Sequence, residues 1–227
     1  MIKLLISDLD DTLYDWTGFF VPAFYAMADE IARMTGIDEK KLLNEYMAAH
    51  QRLGSVEYPY ATLELPSIKA YYNNAPAEEL KAALRPAFNV FNSVRESHLH
   101  LLPGVEEMLR ALTEMGVTLI AYTESSKENG FYRLMKLGIE PYFKHVYTFE
   151  SQFKSAYAFG EKVRTVQTKK PDVAVIERIC TGEGYDKSEV MYLGDNLTKD
   201  MYMAKMAGVT AVWMHRKCEN EDYKNKL

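Results

Sequence analysis

Ile2-Lys3-Leu4-Leu5-Ile6-Ser7 runs without a break into Asp8-Leu9-Asp10-Asp11-Thr12-Leu13, so an apolar run delivers three carboxylates within four residues. Ile2 to Ser7 reads as a buried strand, and the acids stand at its carboxyl end. Like charges this close disfavour joint ionisation unless a cation or a shifted pKa relieves them. The run therefore implies a metal ion, a proton shuttle, or both. Asp-Asp-Thr alone fits a solvated acidic turn, but that is a less comfortable sequel to a buried strand.

The strands that keep Ile2–Ser7 company lie about a hundred residues downstream. Pro103 opens a helix with apolar residues at Val105, Met108, Leu109, Leu112 and Met115, stopped by Gly116. Val117 to Tyr122 is a strand, Ser126 to Leu137 a helix closed by Gly138, and His145 to Phe149 a strand. Pro171 then marks a helix start, followed by a strand at Val190–Leu193, a helix at Thr198–Ala207 and a strand at Val209–Met214. This alternation predicts an α/β fold, a Rossmann-like parallel sheet with helices on both faces.

Between the first strand and its partners, residues 16–98 read as helix alone. Thr17 to Met34 is closed by Gly36, Asp38 caps a helix ending at Arg52 and Gly54, and a third helical stretch runs from Pro76 to about Arg95. The expected organisation is a core of residues 1–15 and 99–227 with an inserted all-helical cap domain at 16–98. The cap would lie over the sheet's carboxyl edge, where open α/β sheets bind ligands.

Composition narrows the chemistry. The 227 residues carry 27 Lys and Arg against 32 Asp and Glu, a net charge of −5, and no basic block offers nucleic acid a phosphate-binding stripe. The longest nearly apolar run, Gly18 to Ala28, contains Pro22 and is too short to span a bilayer. Acids arrive at Asp8 before a signal-peptide core forms, and Cys180 and Cys218 stand in no CxxC arrangement, so a reducing cytoplasm is the expected compartment. No heptad seam or obvious apolar patch specifies an oligomeric state.

Three further segments carry the acidic theme to the same edge. Gly194-Asp195-Asn196-Leu197-Thr198-Lys199-Asp200 repeats the pattern of an apolar strand followed by acids that open a helix. By itself this fits a helix N-cap with first-turn acids equally well. Thr123 follows the second strand, placing a hydroxyl and an N–H at an expected helix N-terminus, and Lys169-Lys170-Pro171-Asp172 puts lysines just before a helix. In isolation these are a cap and an exposed charge pair. Two acidic strand ends with no His or Cys cluster favour a hard cation such as Mg²⁺.

In that order, Asp-x-Asp-x-Thr, strand-Thr, Lys-Pro-Asp and Gly-Asp-x-x-x-x-Asp resemble the haloacid dehalogenase-like hydrolase superfamily, in its subgroup with a helical cap after the first motif. The resemblance extends over essentially the whole chain, including Leu102-Pro103-Gly104 and Gly138-Ile139 through Tyr142-Phe143. It implies a Mg²⁺-dependent phosphomonoester hydrolase that acts on a small phosphorylated metabolite through an aspartyl-phosphate. Asp8 would be the nucleophile and Asp10 the general acid and base. Asp8, the Asp10 backbone carbonyl and Asp195 would hold the metal, with Asp200 behind them or bracing the lysine. Thr123 and Lys170 would bind the phosphoryl oxygens.

Two features depart from the family pattern. Glu124 follows Thr123 where Asn is common, and the stretch from Glu150 to Thr168 is long, which leaves Lys169 as a competitor to Lys170. Lys170 is preferred because it abuts Pro171-Asp172. A sugar-phosphate mutase is the alternative within the superfamily. Asp10 argues against a dehalogenase, because halide leaves unprotonated. A receiver-like phosphate-binding module would carry its acceptor Asp after a middle strand and would lack the insert. The aromatics of the insert, among them Trp16, Phe19, Phe20, Tyr25, Tyr46, Tyr71 and Tyr72, read mainly as its core, with Tyr58-Pro59-Tyr60 as a candidate substrate contact.

Overall fold

The computed structural model describes residues 1–58, 60–150 and 159–215. Pro59, part of the 150–168 stretch, and the polar C-terminal segment with Cys218 lie outside the described residues. The chain divides into two compact units, Met1–Trp16 with Leu99–Leu227, and Thr17–His98.

The first unit is built on six parallel strands, β1 (Leu4–Ser7), β2 (Thr118–Ser126), β3 (His145–Phe149), β4 (Val163–Val166), β5 (Val190–Gly194) and β6 (Thr210–Trp213). Their order in the sheet is β4-β3-β2-β1-β5-β6, so β1 lies between β2 and β5. All four residues of β1 are buried, as an apolar central parallel strand covered on both faces requires. Leu4 and Ile6 pack with Ile120, Tyr122 and Tyr192 against Val175, Ile176, Ile179 and Cys180 of α8 (Val173–Glu183) and Met203, Ala204 and Ala207 of α9 (Tyr202–Ala207). Two further helices, α6 (Val105–Glu114) and α7 (Lys127–Lys136), pack beside β2. The strand β4 is absent from the sequence reading. It is a four-residue edge strand with one buried residue, too short and too exposed to leave an alternating signal.

The second unit comprises α1 (Trp16–Thr35) from Thr17 onward, α2 (Glu39–Leu53), α3 (Pro66–Tyr71), α4 (Ala77–Ala83) and α5 (Arg85–His98), with no strand among its described residues. Asp38 caps α2 by accepting a hydrogen bond from Lys41 N at 2.9 Å, and Gly54 closes it at φ 68°, a left-handed conformation that glycine adopts without strain. Ile31, Leu42, Tyr46, Leu65, Ile68, Leu80, Leu84 and Ala87 form its core. The single helix expected from Pro76 to Arg95 is two, because Pro86 has no N–H with which to continue α4 and sits instead in the first turn of α5.

Candidate active site

The carboxyl ends of β1, β2 and β5 bring the acidic segments together. Asp8 follows β1 directly, and its N–H donates to Leu193 O at 2.8 Å, which extends the ladder with β5 by one rung. The chain then turns tightly. Leu13 N donates to Leu9 O at 2.8 Å and Asp11 adopts φ 59°, a left-handed conformation costly for a residue with a Cβ. The turn returns Thr12 to the start, where its hydroxyl donates to Asp8 Oδ2 at 3.1 Å. The side chain of Asp8 is buried, and its other oxygen, Oδ1, accepts from Lys170 Nζ.

Lys170 is 6% exposed, and its ammonium also donates to Asp200 Oδ1 at 2.9 Å. The rings of Tyr122 and Tyr192 stand 4.9 and 5.6 Å from the same nitrogen and present their negative faces to it. Burial disfavours this ammonium, but the carboxylates of Asp8 and Asp200 outweigh burial and hold its pKa well above the ordinary lysine value. Burial is also the strongest influence on Asp8. It presses the carboxyl upward, Lys170 draws it back, and the charges of Asp200 and Asp10 add to the rise. Lys169 lies elsewhere, with its ammonium 5.5 Å from the Phe149 ring.

Asp200, 2% exposed, is fixed by more than the lysine: Tyr192 OH donates to its Oδ1 at 2.8 Å and Asn196 N to its Oδ2 at 3.2 Å. It belongs to a wide helical turn, Leu197–Met201, that leads into α9 and is capped by Asn196. One carboxylate oxygen from each of Asp8, Asp195 and Asp200 lies within 4.8 Å of the others. Asp195 is the more accessible member. Burial first, then the charges of Asp200 and Asp11, raise its carboxyl to about 6. Lys170 already engages Asp8 and Asp200, so the crowded charge on Asp195 is the one left for a cation to relieve. The donor set is all oxygen, which fits a hard divalent ion.

Asp10 faces a second network. Its Oδ1 accepts from Tyr14 OH at 2.9 Å and Arg133 Nη1 at 2.7 Å, and its Oδ2 accepts from Thr123 Oγ1 at 3.1 Å and Ser125 Oγ at 2.8 Å. Arg133 is buried and also donates to Ser125 Oγ at 2.9 Å. The expectation that Thr123 stands at a helix N-terminus is corrected here. Strand β2 continues through Thr123 to Ser126, with a register irregularity against β3, and Ser126 caps α7 by accepting from Asn129 N at 3.3 Å. Thr123 is therefore a strand residue, and its hydroxyl is spent on Asp10 while accepting from Ser125 N at 3.0 Å. Sequence reading missed Ser125 and Arg133. Arg133 shares α7 with ordinary surface charges, and nothing local distinguishes it. Glu124 meets Lys199, Nζ to Oε2 at 2.5 Å.

A family model described as haloacid dehalogenase-like hydrolase matches residues 5–214, and the chain belongs to this family. Among curated relatives, a glyceraldehyde 3-phosphate phosphatase of Pyrococcus abyssi is 27% identical over 224 residues, covering 94% of this chain and 81% of that protein. A phosphoserine phosphatase of Thermus thermophilus is 24% identical, covering 97% of this chain and 92% of that protein. Among solved structures, a 2-haloacid dehalogenase of Pseudomonas syringae pv. Tomato DC3000 shares the fold at TM-score 0.63 and 24% identity, covering 97% of this chain and 91% of that one. Among the described residues no helix is long and apolar enough to cross a membrane.

Proposed function

We propose that Asp8 is the nucleophile of a phosphomonoester hydrolase and that Asp10, Thr123, Lys170, Asp195 and Asp200 complete its machinery. The enzyme is a phosphatase of small phosphorylated metabolites, and its curated relatives carry phosphatase names. One observation carries the assignment of roles: the carboxylate of Asp8 ends the central strand, is held on one oxygen by a buried lysine, and shares a corner with Asp195 and Asp200.

In the first step an Asp8 carboxylate oxygen bonds to phosphorus as the ester P–O bond breaks, and the leaving alkoxide takes a proton from Asp10. In the second step water attacks the same phosphorus and gives its proton to Asp10. The bond between Asp8 and phosphorus then breaks, releasing inorganic phosphate and restoring both carboxyl groups. Lys170 meets the charge that develops on the phosphoryl oxygens. Thr123 is the second phosphoryl donor, its hydroxyl turning from Asp10 to the substrate.

Mg²⁺ fits the oxygen-only corner, where Asp8, the Asp10 carbonyl and Asp195 would hold it and Asp200 would brace Lys170. When bound it supplies charge neutralisation, which lets an anionic carboxylate approach an anionic ester. The helical unit at residues 17–98 is the proposed cap that selects the metabolite. A reducing cytoplasm is the compartment that the two-cysteine composition supports.

Turnover of para-nitrophenyl phosphate tests the reading. It should require Mg²⁺, stop on chelation and vanish in Asp8→Asn. Turnover that persists in Asp8→Asn would remove the nucleophile assignment.

A further inference from the structure

The sequence singles out Glu124, and the reaction outlined above gives it no part. Its carboxylate is engaged by Lys199, and the pair is partly exposed, with side chains 27% and 42% accessible. Each member sits beside a residue of the proposed machinery. Glu124 follows Thr123, which donates to Asp10, and Lys199 precedes Asp200, which accepts from Lys170. Glu124 is a β2 residue, Lys199 lies in the turn after β5, and β1 with Asp8 at its end runs between those two strands.

We infer that the Glu124–Lys199 ion pair is a positioning strap that fixes the Thr123 segment and the Asp200 turn relative to each other on either side of Asp8. This inference rests on the roles given to those residues above. An ion pair this exposed adds little to global stability, so its effect belongs in catalysis, where small displacements of catalytic groups are amplified. The pair also has an electrostatic side. Asp8, Asp10, Asp11, Asp195 and Asp200 already crowd this edge with negative charge, and a further carboxylate beside Thr123 would repel a phosphate dianion unless Lys199 cancelled it. The two halves of the pair are therefore unequal. Loss of Glu124 loosens the strap, whereas loss of Lys199 loosens it and also leaves an uncompensated anion beside the phosphoryl site.

The test is a charge cycle on the full-length protein, with para-nitrophenyl phosphate and Mg²⁺. Glu124→Gln and Lys199→Met should each lower kcat by about fivefold, a modest fraction of what misplaced catalytic groups cost. Only Lys199→Met should also raise KM, and Tm should stay at the wild-type value in both. The exchange Glu124→Lys with Lys199→Glu should recover kcat to within about twofold of wild type, because contacting residues couple. An exchange variant no better than either single variant, or single losses that simply multiply in Glu124→Gln/Lys199→Met, would overturn the strap. Affinity for inorganic phosphate in the presence of Mg²⁺, measured by calorimetry, is a second readout that needs no turnover. Lys199→Met should weaken it and the exchange should restore it, and identical affinities across the set would overturn the proposal. Asp8→Asn, run alongside, separates this result from failure of the nucleophile assignment.

Discussion

The backbone of Gly194 lies directly against the side chain of Asp200: a Cβ placed on Gly194 would stand 2.6 Å from both Cβ and Cγ of Asp200 and 2.7 Å from its Oδ2. Non-bonded carbon atoms do not approach that closely without displacement, so a glycine at the end of β5 lets Asp200 reach Lys170. Gly194→Ala is expected to push Asp200 off the lysine. The cost in stability should be about 1–3 kcal/mol, as for other overpacked sites, and kcat should fall at least about tenfold. Thermal melts and steady-state kinetics on the one variant check both.

The two adjacent lysines should behave in opposite ways. Lys170 is buried on Asp8 and Asp200, whereas Lys169 faces the Phe149 ring. Lys170→Met removes the cation shared by the buried carboxylates of Asp8 and Asp200, so activity should fall by about 10²–10³-fold, as when a donor to a developing oxyanion is removed. Lys169→Met should stay within about twofold of wild type, since Lys169 is exposed, faces the Phe149 ring, and a cation–π contact at an exposed site is worth only about 0.5–1 kcal/mol. Parallel kinetics of the two variants settle the comparison, and a larger loss in Lys169→Met would reverse the assignment.

Arg133 orients Asp10, the proposed proton-transfer group. Its guanidinium holds Asp10 Oδ1 at 2.7 Å and Ser125 Oγ at 2.9 Å from a buried position. Arg133→Met breaks a largely buried ion pair, and unfolding in denaturant should show a loss on the order of 3 kcal/mol. At temperatures where the variant remains folded, turnover of esters with poor leaving groups should drop more than turnover of activated ones, because the misplaced group is the proposed proton donor. Equal losses on both ester classes would argue against a role through Asp10.

The proposed metal role of Asp195 predicts a pH dependence of stabilisation by Mg²⁺. Its carboxyl is raised from 3.8 to about 6 by burial and by the charges of Asp200 and Asp11. A raised folded-state value means that the folded protein holds this proton more tightly than the unfolded chain does. The contribution to stability is therefore complete below pH 3.8 and is lost as pH rises through about 6. Metal-free protein should lose this contribution over that window, while a cation that needs the ionised carboxylate gains. The rise in Tm on adding Mg²⁺, relative to a chelated sample, should grow from pH 5 to pH 7. A constant or shrinking rise would separate Asp195 from the metal.

The parallel sheet was legible because its central strands are apolar runs with unmistakable punctuation, and the meeting of Asp8, Asp195 and Asp200 because the two acidic segments directly follow β1 and β5, Asp200 lying in the helical turn beyond β5. The parts that escaped have local sequences that say little. Val163–Val166 makes an edge strand whose exposed residues need no apolar alternation. Strand β2 continues through Thr123-Glu124-Ser125, polar residues that read as the end of a strand; the hydroxyls of Thr123 and Ser125 meet the Asp10 carboxylate there. Arg133 reaches Asp10 across 123 positions, and that contact is a product of the fold, with no trace in spacing or composition.

In the proposed reaction the phosphoryl group passes through Asp8. The direct measurement is an acid quench within a single turnover of a phosphomonoester in the presence of Mg²⁺, followed by mass spectrometry of the peptide that contains residues 8–13. One phosphoryl group should be found on Asp8 in the wild-type protein, and none in Asp8→Asn. Rapid product release with that peptide never phosphorylated, or with the phosphoryl group on another residue, would contradict it.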